Sequence, residues 1–376
     1  MSNWPTVKLG DVCEEMRDRI STDSITVAQY ITTDNMVKNC SGVSQAESLP
    51  PSGSLVRFNK NDVLLSNIRP YLKKAWLADR DGGCSSDVIV FRIRDTVSLL
   101  PEYLYRALSQ DAFFSYSMEN VTGTKMPRGK RDWIKQFEFT LPPPAEQRTI
   151  VARLEKELAT ADKVAVRFSE LAATAETEFK ATLEETFAKT KFPTARLGEI
   201  GRVAMCKRIM KDQTSSSGDI PFFKIGTFGK KANAYISRAI FDEYSTKYSY
   251  PKKGDILLSA AGTIGKAVEF DGTPSYYQDS NIVWLEHNGT IVDNQYLYFF
   301  YLTKPWNIAE GATIQRLYND NIANAIIPLP PLAEQREIVA RLTAAAERRD
   351  KIVELARRGA ETAATWRKAI LKEAFQ

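Results

Sequence analysis

The sequence predicts an α+β fold written twice: two globular α+β domains separated by two long helices, packed as an antiparallel coiled coil with a pseudo-two-fold internal repeat. Three observations predict it. The segment LPPPAEQRTIVARL from Leu141 returns as LPPLAEQREIVARL from Leu329, 188 residues later in a chain of 376, so one unit is repeated. The same offset relates Leu9-Gly10-Asp11-Val12 to Leu197-Gly198-Glu199-Ile200, and Gly123, Arg128, Asp132 and Ile134 to Gly311, Arg316, Asp320 and Ile322. Each repeated segment also opens a stretch of more than forty residues with apolar positions at three- and four-residue steps.

The elements follow in order. Residues 1–141 mix short strands with one or two helices; the clearest strands are Asp62 to Ser66 and Asp87 to Ile93, both rich in aliphatic residues. Glu102 to Ser109 has helical spacing with Tyr103, Leu104 and Leu108 on its buried side, and Phe137-Glu138-Phe139 reads as an edge strand. Residues 142–192 form the first long helix. Pro144 suits its first turn, where an N–H would lack an intrahelical partner, and Glu146 complements the positive end of the dipole. Its apolar positions are Val151, Leu154, Leu158, Ala161, Phe168, Ala172, Ala175 and Phe179, and Phe192-Pro193 ends it.

Residues 193–329 repeat the first domain, with strands Asp255 to Ser259 and Asn281 to Leu285 and a helix around Gln295 to Leu302. In mid-unit the offset becomes 193, and the Ser/Gly-rich run Asp212 to Asp219 is a natural place for the added residues. Residues 330–376 form the second long helix, apolar at Ile338, Leu342, Ile352, Leu355, Trp366 and Ile370. Gly359 and Arg349 interrupt its seam, and a local break is expected there. Unbroken, each helix is about 65 to 70 Å long. Neither hides its apolar stripe alone, so the two pack on each other.

Composition narrows the function. The net charge of +5, from 51 basic and 46 acidic residues, neither proves nor excludes a polyanionic partner; the distribution decides. Cys13, Cys40, Cys84 and Cys206 are far apart, which fits reduced thiols and no zinc site. No signal-like start and no run of about 18 apolar residues occurs, so the expected setting is the cytoplasm, without a membrane. The single histidine, His287, precedes a turn dipeptide, Asn288-Gly289, and reads as a turn residue. Gly262 to Lys266 lacks the first glycine and the Ser/Thr of a phosphate loop and reads as a strand-to-strand turn. No catalytic residue, cofactor or metal is expected.

The sequence resembles the specificity subunit of Type I restriction-modification systems over essentially its whole length. The resemblance rests on the twice-used LPP(P/L)AEQR(T/E)IVARL, the two LG(D/E)(V/I) openings and Ile256-Leu257-Leu258-Ser259-Ala260-Ala261-Gly262-Thr263-Ile264-Gly265-Lys266. It implies two target-recognition domains, each reading one half of a split asymmetric site in double-stranded DNA, and helices that act as a ruler across the spacer. It also implies two modification (methyltransferase) subunits as partners, and leaves translocase or restriction subunits open. The loop after Ser66 departs in sequence from that after Ser259, so the two are not assumed equivalent.

DNA contacts are sought among the cations. The densest run holds Lys125, Arg128, Lys130 and Arg131, and its counterpart in the second unit holds Gln315, Arg316 and Tyr318. A solvated turn accounts equally well for the charge alone; recurrence at the same place favours contact with a duplex. Further candidates are Arg69, Lys73 and Lys74 around Tyr71, and Lys207, Arg208, Lys211, Lys224 and Lys266, with Tyr276, Tyr277 and Gln278 as base-edge or backbone contacts. Trp76, Trp133 and Trp284 are assigned to cores. Glu146, Arg148, Glu334 and Arg336, in the first turns of the helices, are candidates for docking the modification subunits. Two other classes stay open: a self-sufficient DNA-modifying enzyme, and a coiled-coil scaffold between proteins.

Overall fold

The computed structural model describes residues 4–188, 192–303, 306 and 317–375. Its chain divides into two compact units, Met1–Ser169 with Arg357–Gln376, and Glu170–Ala356.

In the first unit, a four-stranded antiparallel sheet runs in the order Cys13–Glu15, Val88–Ile93, Val63–Ser66, Ala75–Leu77. Its central strands are apolar at every position but Ser66 and Arg92, because both faces are covered. Val63, Leu65, Ile89 and Phe91 face a core with Tyr103, Leu104 and Leu108 of the helix Pro101–Leu108. Leu64, Val88, Val90 and Trp76 face Ile31 and Phe58 of a second sheet. That sheet runs Arg19–Ser21, Ser54–Phe58, Gly82–Cys84, Tyr30–Ile31, the last pair parallel.

The second unit repeats the main sheet as Arg202–Met205, Ile282–Glu286, Ile256–Ser259, Ala267–Glu269. Register repeats as well: Ser66 opposes Val88 as Ser259 opposes Ile282, and Leu65 opposes Ile89 as Leu258 opposes Val283. Ile256, Leu258, Val283 and Leu285 face the core holding the helix Asn294–Leu302, while Leu257, Ile282 and Trp284 face Ile220, Phe222 and Tyr276. At the margin of each unit, a two-stranded ribbon brings the opening of the unit beside the strand leading into a long helix. Thr6 pairs Thr140 in one and Thr194 pairs Pro328 in the other.

The long helices span Pro144–Ala188 and Leu332–Glu373, so each begins in one unit and ends in the other. They run antiparallel within each unit. In the first, Arg367 Nε lies 3.1 Å from the Asp162 carboxylate, and the Phe168 ring sits against Gly359. In the second, the Arg349 guanidinium lies 4.4 Å from the Phe179 ring centroid, while Leu183 and Phe187 share a core with Leu342.

Three expectations about these elements need correction. The second helix does not break: a Cβ at Gly359 would fall 2.4 Å from the Phe168 ring, so glycine admits a close contact there rather than interrupting the helix. Arg349 packs on Phe179 instead of disrupting the seam. Leu355 and Trp366 are not seam residues; they are 60% and 43% exposed, because the buried line runs through Ala356, Ala363 and Ile370.

One side chain ties each helix to its unit. Gln147 and Gln335, the middle residues of the repeated Glu-Gln-Arg, are both 0% exposed. Gln147 Oε1 accepts from Leu100 N–H at 2.8 Å, and its Nε2 donates to Ser98 O at 2.8 Å and Pro142 O at 2.7 Å. Gln335 makes the matching set with Asp293 N–H, Ile291 O and Pro330 O at 2.9, 2.9 and 2.8 Å. Leu100 and Asp293 each precede the first turn of a buried helix, so the amide locks the start of one helix to the start of another.

Replacing Gln147 with Leu leaves one N–H and two carbonyls without that partner, the Pro142 carbonyl in a buried place, and is expected to cost about 3 kcal/mol. Gln147→Glu sets a carboxylate against two carbonyl oxygens and should cost more. Urea unfolding with an unchanged slope measures both, and two wild-type midpoints would refute the clamp.

Candidate nucleic-acid interface

In each unit, three loops meet at one end of the main sheet. In the first, the strands Val121–Thr122 and Arg128–Gly129 form a hairpin whose exposed turn carries Lys125. The hairpin rests on the connection after Ser66: Gly129 N–H donates to Asn67 O at 3.1 Å and Arg69 N–H donates to Pro127 O at 2.7 Å. A third loop, Ser85–Ser86–Asp87, joins through Asn67 N–H to Asp87 O at 2.8 Å.

The second unit uses the same backbone bonds. Leu317 N–H donates to Ala260 O at 2.8 Å, Ala260 N–H donates to Asn281 O at 2.8 Å, and Gln278 N–H donates to Phe223 O as Ser85 N–H donates to Ile31 O. The connections after Ser66 and Ser259 are therefore equivalent in backbone pairing despite their different sequences. Gly262 to Lys266 is a strand-to-strand turn, linking Ile256–Ser259 to antiparallel Ala267–Glu269. Gln315 and Arg316 lie outside the described residues; Tyr318 is exposed beside the cleft of Met205, Ser280 and Asp320.

The candidate cations sort by what their charged ends touch. Lys125 and Lys130 are exposed, and their ammonium groups make no ion pair or hydrogen bond among the described residues. Arg128 donates through Nε to the Asp87 carboxylate at 3.2 Å. Arg131 is consumed within the fold, one terminal nitrogen on the Glu15 carboxylate at 2.5 Å and the other on Ser86 O at 2.7 Å. Lys73 pairs with Asp111 at 2.6 Å and lines a cavity of about 370 Å³ beside Ala161, Ala363 and Arg367 of the long helices. Lys74 donates to Thr33 O, and Lys266, after the equivalent strand connection, donates to Phe228 O at 2.7 Å. Desolvation lowers the Lys74 pKa, as expected for an ammonium held against backbone.

In the second unit, Arg208, Lys211 and Lys224 line one cleft of about 430 Å³ with Gln278 and Asn281. Arg208 donates through Nε to Asp279 at 2.8 Å, and the Lys207 ammonium lies 5.1 Å from the Tyr248 ring centroid. Two aromatic candidates fail, since Tyr276 and Tyr277 are buried in the core that backs this loop. Sequence reasoning missed Glu15, Asp87 and Asp279, which hold the arginines; no local pattern marks them.

His287 sits in its turn, accepting from Gly289 N–H at 3.1 Å and facing Asn294 Oδ1 at 2.7 Å. All four cysteines are buried free thiols, and burial pushes Cys13, Cys84 and Cys206 up to about 12. No group of three or more potential metal ligands occurs among the described residues, and no described helix is long and apolar enough to cross a membrane. Glu146, Arg148, Glu334 and Arg336 are all exposed, flanking the two buried glutamines.

The family described as Type I restriction modification DNA specificity domain matches the chain twice, over residues 1–162 and 190–356. A Haemophilus influenzae protein bearing the name of a type I restriction enzyme specificity subunit is 66% identical over 143 residues, 38% of this chain and 37% of that protein. The Escherichia coli EcoDI specificity subunit is 24% identical over 168 residues, 43% of this chain and 37% of its own length. The chain thus spans little more than a third of each of these relatives. Among solved structures, the HsdS subunit from Thermoanaerobacter tengcongensis superposes with a TM-score of 0.60 at 23% identity, covering 100% of this chain and 97% of that one. A chain from a study of type I R-M complex assembly and conformational transition superposes at 0.77 with 24% identity, covering 100% and 98%. These two share the fold.

Glu15 anchors the first unit's hairpin and is testable by pH. Its side chain is 4% exposed, and burial alone would raise its pKa; hydrogen bonds and charge from Arg131 and Lys135 outweigh this and hold the carboxyl below its ordinary range. A lowered folded-state pKa stabilises above the unfolded value and loses that stabilisation as pH falls through the folded one. The stability gap between wild type and Glu15→Gln should therefore be largest near neutrality and close below about pH 4. Unfolding curves across pH measure it, and a gap independent of pH would refute the anchor.

Proposed function

The chain belongs to the family of Type I restriction modification DNA specificity domains, and from that membership we propose that it is the DNA-recognition subunit of a type I restriction-modification complex, acting in the cytoplasm. In this reading, residues 1–141 and 193–329 are target-recognition domains, and residues 142–192 and 330–376 are spacer helices. Each recognition domain reads one half of a bipartite, asymmetric site in double-stranded DNA. Methylation and cleavage belong to partner subunits, and the chain itself is not an enzyme.

The observation that carries the reading is the loop-built face present in both units on one backbone frame, with Lys125, Arg128 and Lys130 on the first and Arg208, Lys211 and Lys224 on the second. Equal frames with unequal side chains suit two readers of different base sequences, with lysines on phosphates and arginines on base edges. In this reading the two helices act as a ruler across the unread spacer. Exposed Glu146, Arg148, Glu334 and Arg336 lie beside the clamped glutamines, a rigid place for two modification subunits to dock.

Deleting the chain from its host should erase adenine methylation at one bipartite motif, read by genome-wide mapping. Shortening both helices by matched turns should change the spacer and leave both half-sites intact; altered half-sites would contradict the ruler. Reversing the charges of Glu146, Arg148, Glu334 and Arg336 together should weaken co-purification with the modification subunits while the unfolding free energy stays within about 1 kcal/mol of wild type. Unchanged co-purification would remove those residues from the docking surface.

A further inference from the structure

Two arginines, one at the loop end of each main sheet, are held in the same way. Arg128 donates from Nε to the Asp87 carboxylate at 3.2 Å, and Arg208 donates from Nε to Asp279 at 2.8 Å. Both carboxylates belong to the loop that enters the central strand of the main sheet, just before Val88–Ile93 in one unit and Ile282–Glu286 in the other. Asp87 is anchored through its carbonyl to Asn67 N–H, and the Asp279 carboxylate also accepts from the Ser280 hydroxyl at 3.4 Å. The arginines come from unrelated places, a hairpin after the sheet in one unit and the segment after the first sheet strand in the other. Different chain segments thus deliver one arrangement to the same loop.

The arrangement matters because of which nitrogen is used. With Nε occupied, the plane of the guanidinium is fixed and both terminal nitrogens remain, with no hydrogen bond among the described residues. The Arg128 and Arg208 side chains are 46% and 67% exposed. A planar pair of donors at fixed orientation matches the O6 and N7 acceptors on the major-groove edge of guanine. Arg131 provides the contrast, since each of its terminal nitrogens already holds an oxygen of the fold, on Glu15 and Ser86, so its fork is engaged within the protein. As a surface ion pair the contact adds little stability, so its effect is on orientation.

We propose that Asp87 and Asp279 are positioning residues that present Arg128 and Arg208, each as the reader of a guanine in its own half-site. The proposal rests on the DNA-recognition reading above and adds which base is read, by which arginine and through which carboxylate. Selection from a random-sequence DNA duplex pool by the full chain, assembled with its modification subunits, tests it. Wild type should enrich two half-sites, each containing guanine. Arg128→Ala and Asp87→Asn should both cut the preference for one and the same guanine at least about tenfold and spare the other half-site. Arg208→Ala and Asp279→Asn should do the same in the other half. Replacing that guanine by 7-deazaguanine, which lacks the N7 acceptor, should weaken wild-type binding and leave the matching alanine variant nearly unaffected, a comparison that does not depend on how well the aspartate variants fold. An even loss over all sequences, relaxation at different positions by the two members of a pair, or indifference to 7-deazaguanine would overturn the proposal while leaving the DNA-recognition reading standing. A wild-type complex that enriches no motif would overturn both.

Discussion

A buried carboxamide at the start of each long helix fixes where that helix leaves its globular unit. Gln147 and Gln335 each satisfy one N–H and two carbonyls, and those groups belong to a loop, a helix start and the proline turn. Glutamine is suited to the task because one planar group carries both an acceptor and two donors on a side chain long enough to reach them. An apolar residue leaves the backbone unsatisfied, and a carboxylate has the wrong polarity. The near-identity of the two Glu-Gln-Arg segments therefore has a structural origin at its centre, and only the exposed Glu and Arg on either side remain free for a partner.

Once the helices are anchored, the two units differ in content and not in frame. The sheet order, the register of its central strands and the bonds joining its loops recur, while Trp284 faces Leu257 where Val90 faces Leu64, and Ala260 accepts the bond that Asn67 accepts. Backbone hydrogen bonds depend little on the side chain, so the loops can change composition without moving. Variation is thereby directed to the end of the sheet where Arg128, Lys125, Arg208 and Lys224 are displayed.

Much of this was legible in the chain. The strands around Val63–Ser66 and Ile256–Ser259, the helices Pro101–Leu108 and Asn294–Leu302 and both long helices fall where aliphatic runs and helical spacing place them. The errors share one cause. Leu355 and Trp366 have helical spacing but lie outside the seam, because periodicity identifies an apolar stripe and not the width of the partner that covers it. Gly359 looked like a weak point from propensity alone, yet its missing Cβ is what lets the Phe168 ring approach. Lys74 and Lys266 looked like free cations and are held on backbone carbonyls instead.

The sequence by itself determined the duplication, the order of elements and the length of the helices, because repeats and periodicities are local properties that survive without coordinates. Tertiary structure alone decided which cations are spent and which are offered. Arg128 meets Asp87 across 41 residues, Arg208 meets Asp279 across 71, and Arg131 meets Glu15 across 116. Pairings over such separations are set by how sheets and loops close on one another, and no spacing along the chain encodes them.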